Sequence, residues 1–239
     1  MARIVTCILR IASISLPTNL RLAIAASIFV AAGVLLIFII NLLFAQRIVR
    51  SLHPDLGWHT VSRIVLRTIY VLIGLTLAIV ITATVQNFYT LRPRTKTIDR
   101  GLQLYGTTFL AIVATLPIPA VLVAIAIPHQ VPHDRFGAGR FRTKVAVLLT
   151  GSTLLALGAW YRCGTAWQHP VPRNRPMPEY FHKAAFYVFN FVVEILTVYL
   201  YAIMRVDLRY HVPDGAKGKG SYSVQKAAEN RENESGEDN

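Results

Sequence analysis

The residues that could support chemistry are concentrated in one apolar segment, residues 184–204, with Glu194 about halfway along it. An ionisable side chain in a membrane-spanning helix is costly and usually faces the bundle interior or a water-filled cavity. If the segment is helical, spacings of 3, 4, 3 and 4 place five polar residues on one face. This polar stripe consists of Tyr187, Asn190, Glu194, Thr197 and Tyr201.

Two interpretations of the polar stripe are open. In the first, the stripe lines a substrate path or a proton site, with Glu194 as the titrating group. In the second, its members hold helices together, since Asn, Thr and Tyr side chains hydrogen bond between membrane helices for about 1 kcal/mol each. Both interpretations remain for Glu194, and we favour the second for the other four residues.

Two charged residues lie near the membrane boundary, and two prolines interrupt a span. Arg205 continues the stripe one turn further, at the membrane edge. Arg67 differs from Glu194 in depth by about 10 Å at 1.5 Å per residue, so we expect it to snorkel or to meet the polar end near Arg205. Pro117 and Pro119 remove two helical hydrogen bonds in mid-span, which predicts a gate, a hinge or a static kink.

No motif in the sequence indicates an enzyme. The sequence contains no HExxH, no GxSxG and no glycine-rich phosphate loop followed by lysine. His129 and His133 have metal-ligand spacing on a helix, but Pro132 argues against that helix. Cys7 and Cys163 provide neither a disulfide framework nor metal-ligand spacing. We therefore expect no catalytic residues, no metal and no cofactor.

The composition predicts that these residues are positioned by membrane-spanning helices. Hydrophobic residues make up 54% of the 239 residues and charged residues only 15%, against about 25% charged in soluble domains. A spanning helix needs about 20 mostly apolar residues. This predicts an all-α, polytopic transmembrane helix bundle at 17–211, with five full spans near 22–45, 64–86, 104–127, 145–161 and 184–204.

The two ends of the chain differ from the bundle. Residues 1–16 are too short to span and contain Arg3 and Arg10, which predicts a partial or an interfacial helix. Residues 212–239 are polar and charged, so they cannot bury enough apolar surface to offset chain entropy. We predict a disordered polar tail there.

The net charge of +13 indicates a lipid partner rather than nucleic acid, because nearly every Lys and Arg cluster flanks an apolar block. We expect membrane lipids as partners, together with a small amphiphilic substrate. The two sides of the membrane carry 11 Lys and Arg residues each, so the positive-inside rule gives no orientation. Glycosylation of the sequon at Asn233 would report the side of the tail. The particular membrane and the oligomeric state are left open.

Two blocks of sequence carry a family resemblance. The run Asn41–Arg47 precedes His53-Pro54 and Gly57-Trp58, and a later block contains Ala185–Phe191 and Arg205–Arg209. Together they resemble an uncharacterised fungal family of multi-helix membrane proteins, over residues 3 to about 223.

More distantly, the sequence is similar to the fungal lipid-translocating exporters linked to aminocholesterol resistance. Their last helix opens with a YVFD-like run, to which 187–190 corresponds, with Asn190 in place of the acid. The resemblance implies seven helices, a chain that starts within the second of them, and a cytosolic tail.

These observations predict a non-enzymatic integral membrane protein that translocates or binds a lipid or amphiphile. One alternative is a seven-helix-type sensor or receptor whose tail is modified at Ser221, Tyr222 or Ser223. Another is a structural partner within a membrane complex.

Overall fold

The computed structural model describes residues 2–15, 19–90, 92–128, 136–168, 183–212 and 221–222. Within these ranges the chain is helical and contains no β-strand. The elements in chain order are α1 (Ala2–Ser15), α2 (Leu20–Leu52), α3 (Pro54–Gly57), α4 (Thr60–Tyr89), α5 (Pro93–Thr115), α6 (Pro117–Ala126), α7 (Phe141–Trp167), α8 (Lys183–Tyr187), a π-helical turn (Val188–Val192), α9 (Val193–Ile203) and α10 (Val206–Arg209).

Five helical segments are long and apolar enough to cross a membrane: α2, α4, α5 with α6, α7, and Ala184–Ile203. This confirms the predicted class of five spans plus a short N-terminal helix. Most of these helices extend beyond the apolar cores that hydropathy marks, because arginine and lysine continue a helix into the headgroup region. The fourth span, predicted at 145–161, belongs to a helix that continues to Trp167. Arg162 is therefore a helical residue within α7.

The N-terminal helix lies alongside the first span. The Thr6 hydroxyl donates to the carbonyl of Phe29 across 3.4 Å. Each residue is nine positions from the end that joins α1 to α2, so the two helices are antiparallel neighbours.

Small residues on α7 allow neighbouring helices to pack closely against it. A Cβ atom at Gly158 would lie 2.6 Å from the carbonyl oxygen of Phe189, and Gly151 is similarly covered by the Tyr201 phenol. Close backbone approach through glycine is how membrane helices gain packing energy without a hydrophobic driving force. The π-helical turn and α9 can therefore lie directly on α7.

The outward surface of the bundle is apolar. On α4, Val71, Leu75 and Ile79 are exposed, and only a few residues of that helix are buried. Apolar surface on this scale is not tolerated in water, whereas the acyl chains of a bilayer would cover it.

The two prolines of the third span mark the junction of α5 and α6. Pro117 begins α6, while Leu116 keeps helical dihedral angles of −52° and −37°. The Leu116 amide still donates to the Ile112 carbonyl at 3.0 Å. The interruption is thus local, and the two helices together form a single span.

Aromatic side chains close the end of the bundle where α2 ends and α7 begins. The Tyr210 ring stacks on Phe44 at 4.0 Å, and its hydroxyl donates to the Lys144 carbonyl at 2.5 Å. Burial raises the pKa of the Tyr210 phenol well above its usual value, which keeps this donor protonated.

Tyr222 also belongs to this end of the bundle, although it comes from the predicted disordered tail. Its ring is 2% exposed and lies 5.8 Å from that of Phe136 and 5.9 Å from that of Trp58. A composition argument averages over the whole tail and misses one aromatic residue that finds an apolar site. Apart from residues 221–222, the predicted tail from 213 on lies outside the described residues, including Ser223 and Asn233, as do His129 and His133.

The close approach at Gly158 can be tested by substitution with alanine. We expect Gly158→Ala to lower the midpoint of thermal unfolding in detergent by several degrees, because its methyl group would meet the Phe189 carbonyl. The matched control is Gly164→Ala on the same helix, where a Cβ atom meets nothing within 4 Å. It should be neutral or slightly stabilising, since alanine is the better helix former. Equal midpoints for the two variants would contradict the close approach.

Candidate functional site

The structure brings four of the five polar-stripe residues into the bundle interior. Asn190, Glu194, Thr197 and Tyr201 are buried, whereas Tyr187 is 42% exposed. The difference arises at the π-helical turn, which inserts an extra residue into the helical repeat after Tyr187. A regular helix from 184 to 204 was the basis for including Tyr187, and that part of the prediction is wrong.

An ion pair lies at the centre of the candidate site. The Arg162 guanidinium donates through Nη2 to Glu194 Oε1 and through Nε to Asn190 Oδ1. The Asn190 amide in turn donates to the Phe186 carbonyl at 2.8 Å. The Glu194 side chain is 4% exposed and that of Arg162 is 22% exposed. We call Arg162, Asn190 and Glu194 the arginine triad.

The position of the arginine triad in a membrane helix bundle makes its pairing necessary. Moving an ionised group out of water is expensive, and the opposite charge recovers that cost only with good geometry and added hydrogen bonds. Asn190 supplies such a bond, and the stacking of Tyr161 on Phe189 at 4.6 Å packs α7 against the π-helical turn beside it. Arg162 and Glu194 therefore depend on each other, and both depend on the contact of α7 with the last span.

A second polar network lies further along the same helices. The Tyr201 hydroxyl donates to Asn41 Oδ1 at 2.5 Å, and the Asn41 amide donates to Ser152 Oγ at 3.2 Å. These bonds join α9, α2 and α7. Asn41 thus holds three helices together through side-chain hydrogen bonds. Thr197 instead donates to the Val193 carbonyl of its own helix at 2.9 Å.

The two predicted boundary arginines lie outside the site. Arg67 is exposed on α4, as expected of a snorkelling side chain, and forms no hydrogen bond or ion pair with Glu194. Arg205 does not continue the stripe, because α9 ends at Ile203 and Arg205 has a left-handed φ of 46°. An L-residue in that region ends a helix. The Arg205 carbonyl then accepts from the Leu208 amide at 3.2 Å and starts α10.

Sequence reasoning missed Arg162 because it placed this residue at the edge of a short span. A signal was available, since residues 163–167 are uncharged and extend the helical pattern beyond the arginine. Arg162 lies five residues before the end of α7, and Glu194 lies eleven residues after the start of α8. A long guanidinium side chain reaches across that difference in depth.

The site's chemistry is that of charge and hydrogen bonding. It offers a fixed positive charge, a carboxylate and an amide, with the arginine closest to the surface. Among the described residues, no group of three or more His, Cys, Asp or Glu is arranged to hold a metal ion.

The arginine triad lies in the segment of the chain that matches a family model. The model of a family described as a protein of unknown function, DUF3112, matches residues 136–211. The matched segment contains α7 to α10, and therefore every member of the arginine triad. The match supports the resemblance of this chain to an uncharacterised family. No curated protein and no solved structure matches the chain.

The mutual dependence of Arg162 and Glu194 predicts strong non-additivity. Glu194→Leu alone should destabilise the protein by about 3–5 kcal/mol, because it leaves a guanidinium in the membrane without its carboxylate. The double variant Arg162→Met/Glu194→Leu should recover most of that loss. Reversible unfolding in mixed micelles would measure both values.

The matched control for this cycle is Thr197→Val combined with Arg162→Met. Thr197 is fully buried one turn from Glu194, and its hydroxyl donates to the Val193 carbonyl of its own helix. Its effect should add to that of Arg162→Met. If the effects of Glu194→Leu and Arg162→Met on the free energy of unfolding were also additive, these two residues would not form a stabilising ion pair.

Proposed function

We propose that this integral membrane protein binds a lipid or another amphiphile and transfers its headgroup past the arginine triad. The observation that carries the proposal is a charged pair in the bundle interior whose arginine is still 22% exposed. Ionisable residues inside membranes mark substrate or ion pathways more often than they serve packing alone.

The headgroup of an amphiphile needs polar partners wherever it enters the apolar layer. An anionic headgroup at the exposed edge of Arg162 would replace the Glu194 carboxylate as the acceptor of hydrogen bonds from the guanidinium. Charge-assisted bonds of this kind are the strong ones, so the exchange would keep the guanidinium satisfied throughout. The α5–α6 interruption and the π-helical turn are places where neighbouring spans can adjust.

The exporter-like run at 187–190 gives this proposal separate support. In the exporters it opens the last helix, and here it leads directly into the turn that holds Asn190. An asparagine in place of an acid leaves the triad with one carboxylate opposite one guanidinium.

One observation favours a second candidate function, that of a sensor or receptor. Tyr222 is docked against Trp58 and Phe136, which connects the C-terminal segment to the end of the bundle. If deletion of residues 214–239 leaves every phenotype of the host unchanged, signalling through this contact loses its support.

The proposed transfer can be measured with Glu194→Gln in proteoliposomes. We expect the rate at which fluorescent phospholipid reaches the opposite leaflet to fall about tenfold or more, since a charge-assisted bond contributes about 1.5–3 kcal/mol. Tyr187→Phe is the matched control, because Tyr187 lies on the same span but is exposed. Wild-type rates for Glu194→Gln at equal incorporation would contradict the proposal.

A further inference from the structure

A groove lies between α2, α4 and the α5–α6 junction, at the opposite end of the bundle from the arginine triad. Its volume is about 300 Å³, which is within the range of small-molecule sites. At one end it is polar, with Gln46, Arg50 and Ser62, and further in it is apolar, with Leu42, Ile69 and Leu116 among its lining residues.

We propose that this groove binds one anionic phospholipid, with the headgroup phosphate at Arg50 and an acyl chain along the apolar part. The inference goes beyond the proposed function, because the groove shares no residue with the arginine triad. A bound lipid here would be a resident partner of the protein rather than the transferred molecule.

The guanidinium of Arg50 is held in position by neutral groups. Its Nε donates to the Gly57 carbonyl at 3.2 Å, and its carbon lies 4.5 Å from the centre of the Trp58 ring. When its side-chain oxygen faces the guanidinium, Gln46 accepts from both Nη1 and Nη2 of Arg50. Within the described part of the chain no carboxylate forms an ion pair with Arg50. A fixed arginine whose charge no described carboxylate neutralises suits a phosphate, since each of its terminal nitrogens keeps one further N–H to donate.

The depth of the groove matches a phospholipid. Arg50 lies five residues beyond the apolar run 22–45, or about 8 Å at 1.5 Å per residue, which is the headgroup level. Leu42 lies eight residues before Arg50, about 12 Å deeper along α2. One end of the groove is thus at the level of phosphates, and the other is within the acyl chains.

The turn after α2 closes the headgroup end. A Cβ atom at Gly57 would lie 2.6 Å from the Arg50 Cα atom, so only glycine lets α3 lie this close to α2. The same close approach places the Gly57 carbonyl and the Trp58 ring on the guanidinium. The exposed arginines 63 and 67 on the first turns of α4 add positive charge to this edge, which favours an anionic headgroup over a zwitterionic one.

The test is native mass spectrometry of the full chain in detergent, titrated with phosphatidylglycerol or phosphatidylcholine. Wild-type protein should bind one phosphatidylglycerol more tightly than phosphatidylcholine. Arg50→Gln should weaken phosphatidylglycerol binding about tenfold and remove the preference, because it deletes a charge-assisted contact. Ser62→Glu, which places a carboxylate at the polar end, should have the same effect without deleting Arg50.

Two further measurements complete the test. Arg142→Gln, which removes an exposed arginine that does not line the groove, should bind phosphatidylglycerol as the wild type does. Glu194→Gln should do so as well, whatever its effect on lipid transfer, so the two proposals can fail separately. Wild-type preference in both Arg50→Gln and Ser62→Glu would overturn the inference. Displacement of the lipid by millimolar inorganic phosphate would also overturn it, since the site would then recognise a free anion.

Discussion

The bond between the Arg162 guanidinium and the Glu194 carboxylate is the constraint on which the other features of the last spans depend. Water is scarce at this depth, so each charge must find its partner within the protein. The partners come from different helices, and α7 and α9 must therefore lie close together. Gly158 and Gly151 remove the side chains that would prevent that approach. The π-helical turn sits beside the same contact and presents Asn190 as the second acceptor.

Among the described residues, polar groups from the last span and the segment after it meet α7 at three levels. The arginine triad lies toward the C-terminal end of that helix, and the Tyr201–Asn41–Ser152 network lies near its middle. Lys144 and Tyr210 meet near its N-terminal end, among aromatic rings. At the middle level, neutral side chains hydrogen bond to one another between helices, which stabilises helix packing. Among the described residues, the arginine triad combines a charge pair with a buried carboxylate and a partly exposed guanidinium, and we assign function there for that reason.

Hydropathy and helical periodicity predicted the parts of this fold that are governed by lipid contact. Apolar length located all five spans, and periodicity found the inward face of Asn190, Glu194, Thr197 and Tyr201. The remaining features depend on local geometry and tertiary contacts. Tyr187 leaves the stripe through a π-helical turn, and Arg205 leaves it because the helix ends before it. Arg162 was assigned to a loop because a charge was taken as the end of a span, whereas its partner on another helix allows the span to continue. Neither pattern carries information on which helices are neighbours.

Infrared spectroscopy of the protein in lipid bilayers, with its glutamates isotopically labelled, tests the ion pair most directly. The account predicts that subtracting the spectrum of Glu194→Gln protein from that of the wild type leaves an ionised carboxylate band at neutral pH. In Arg162→Gln protein a protonated carboxyl band should replace it. A protonated Glu194 in the wild-type protein, unchanged by loss of Arg162, would show that these residues do not form a charged pair and would contradict the account.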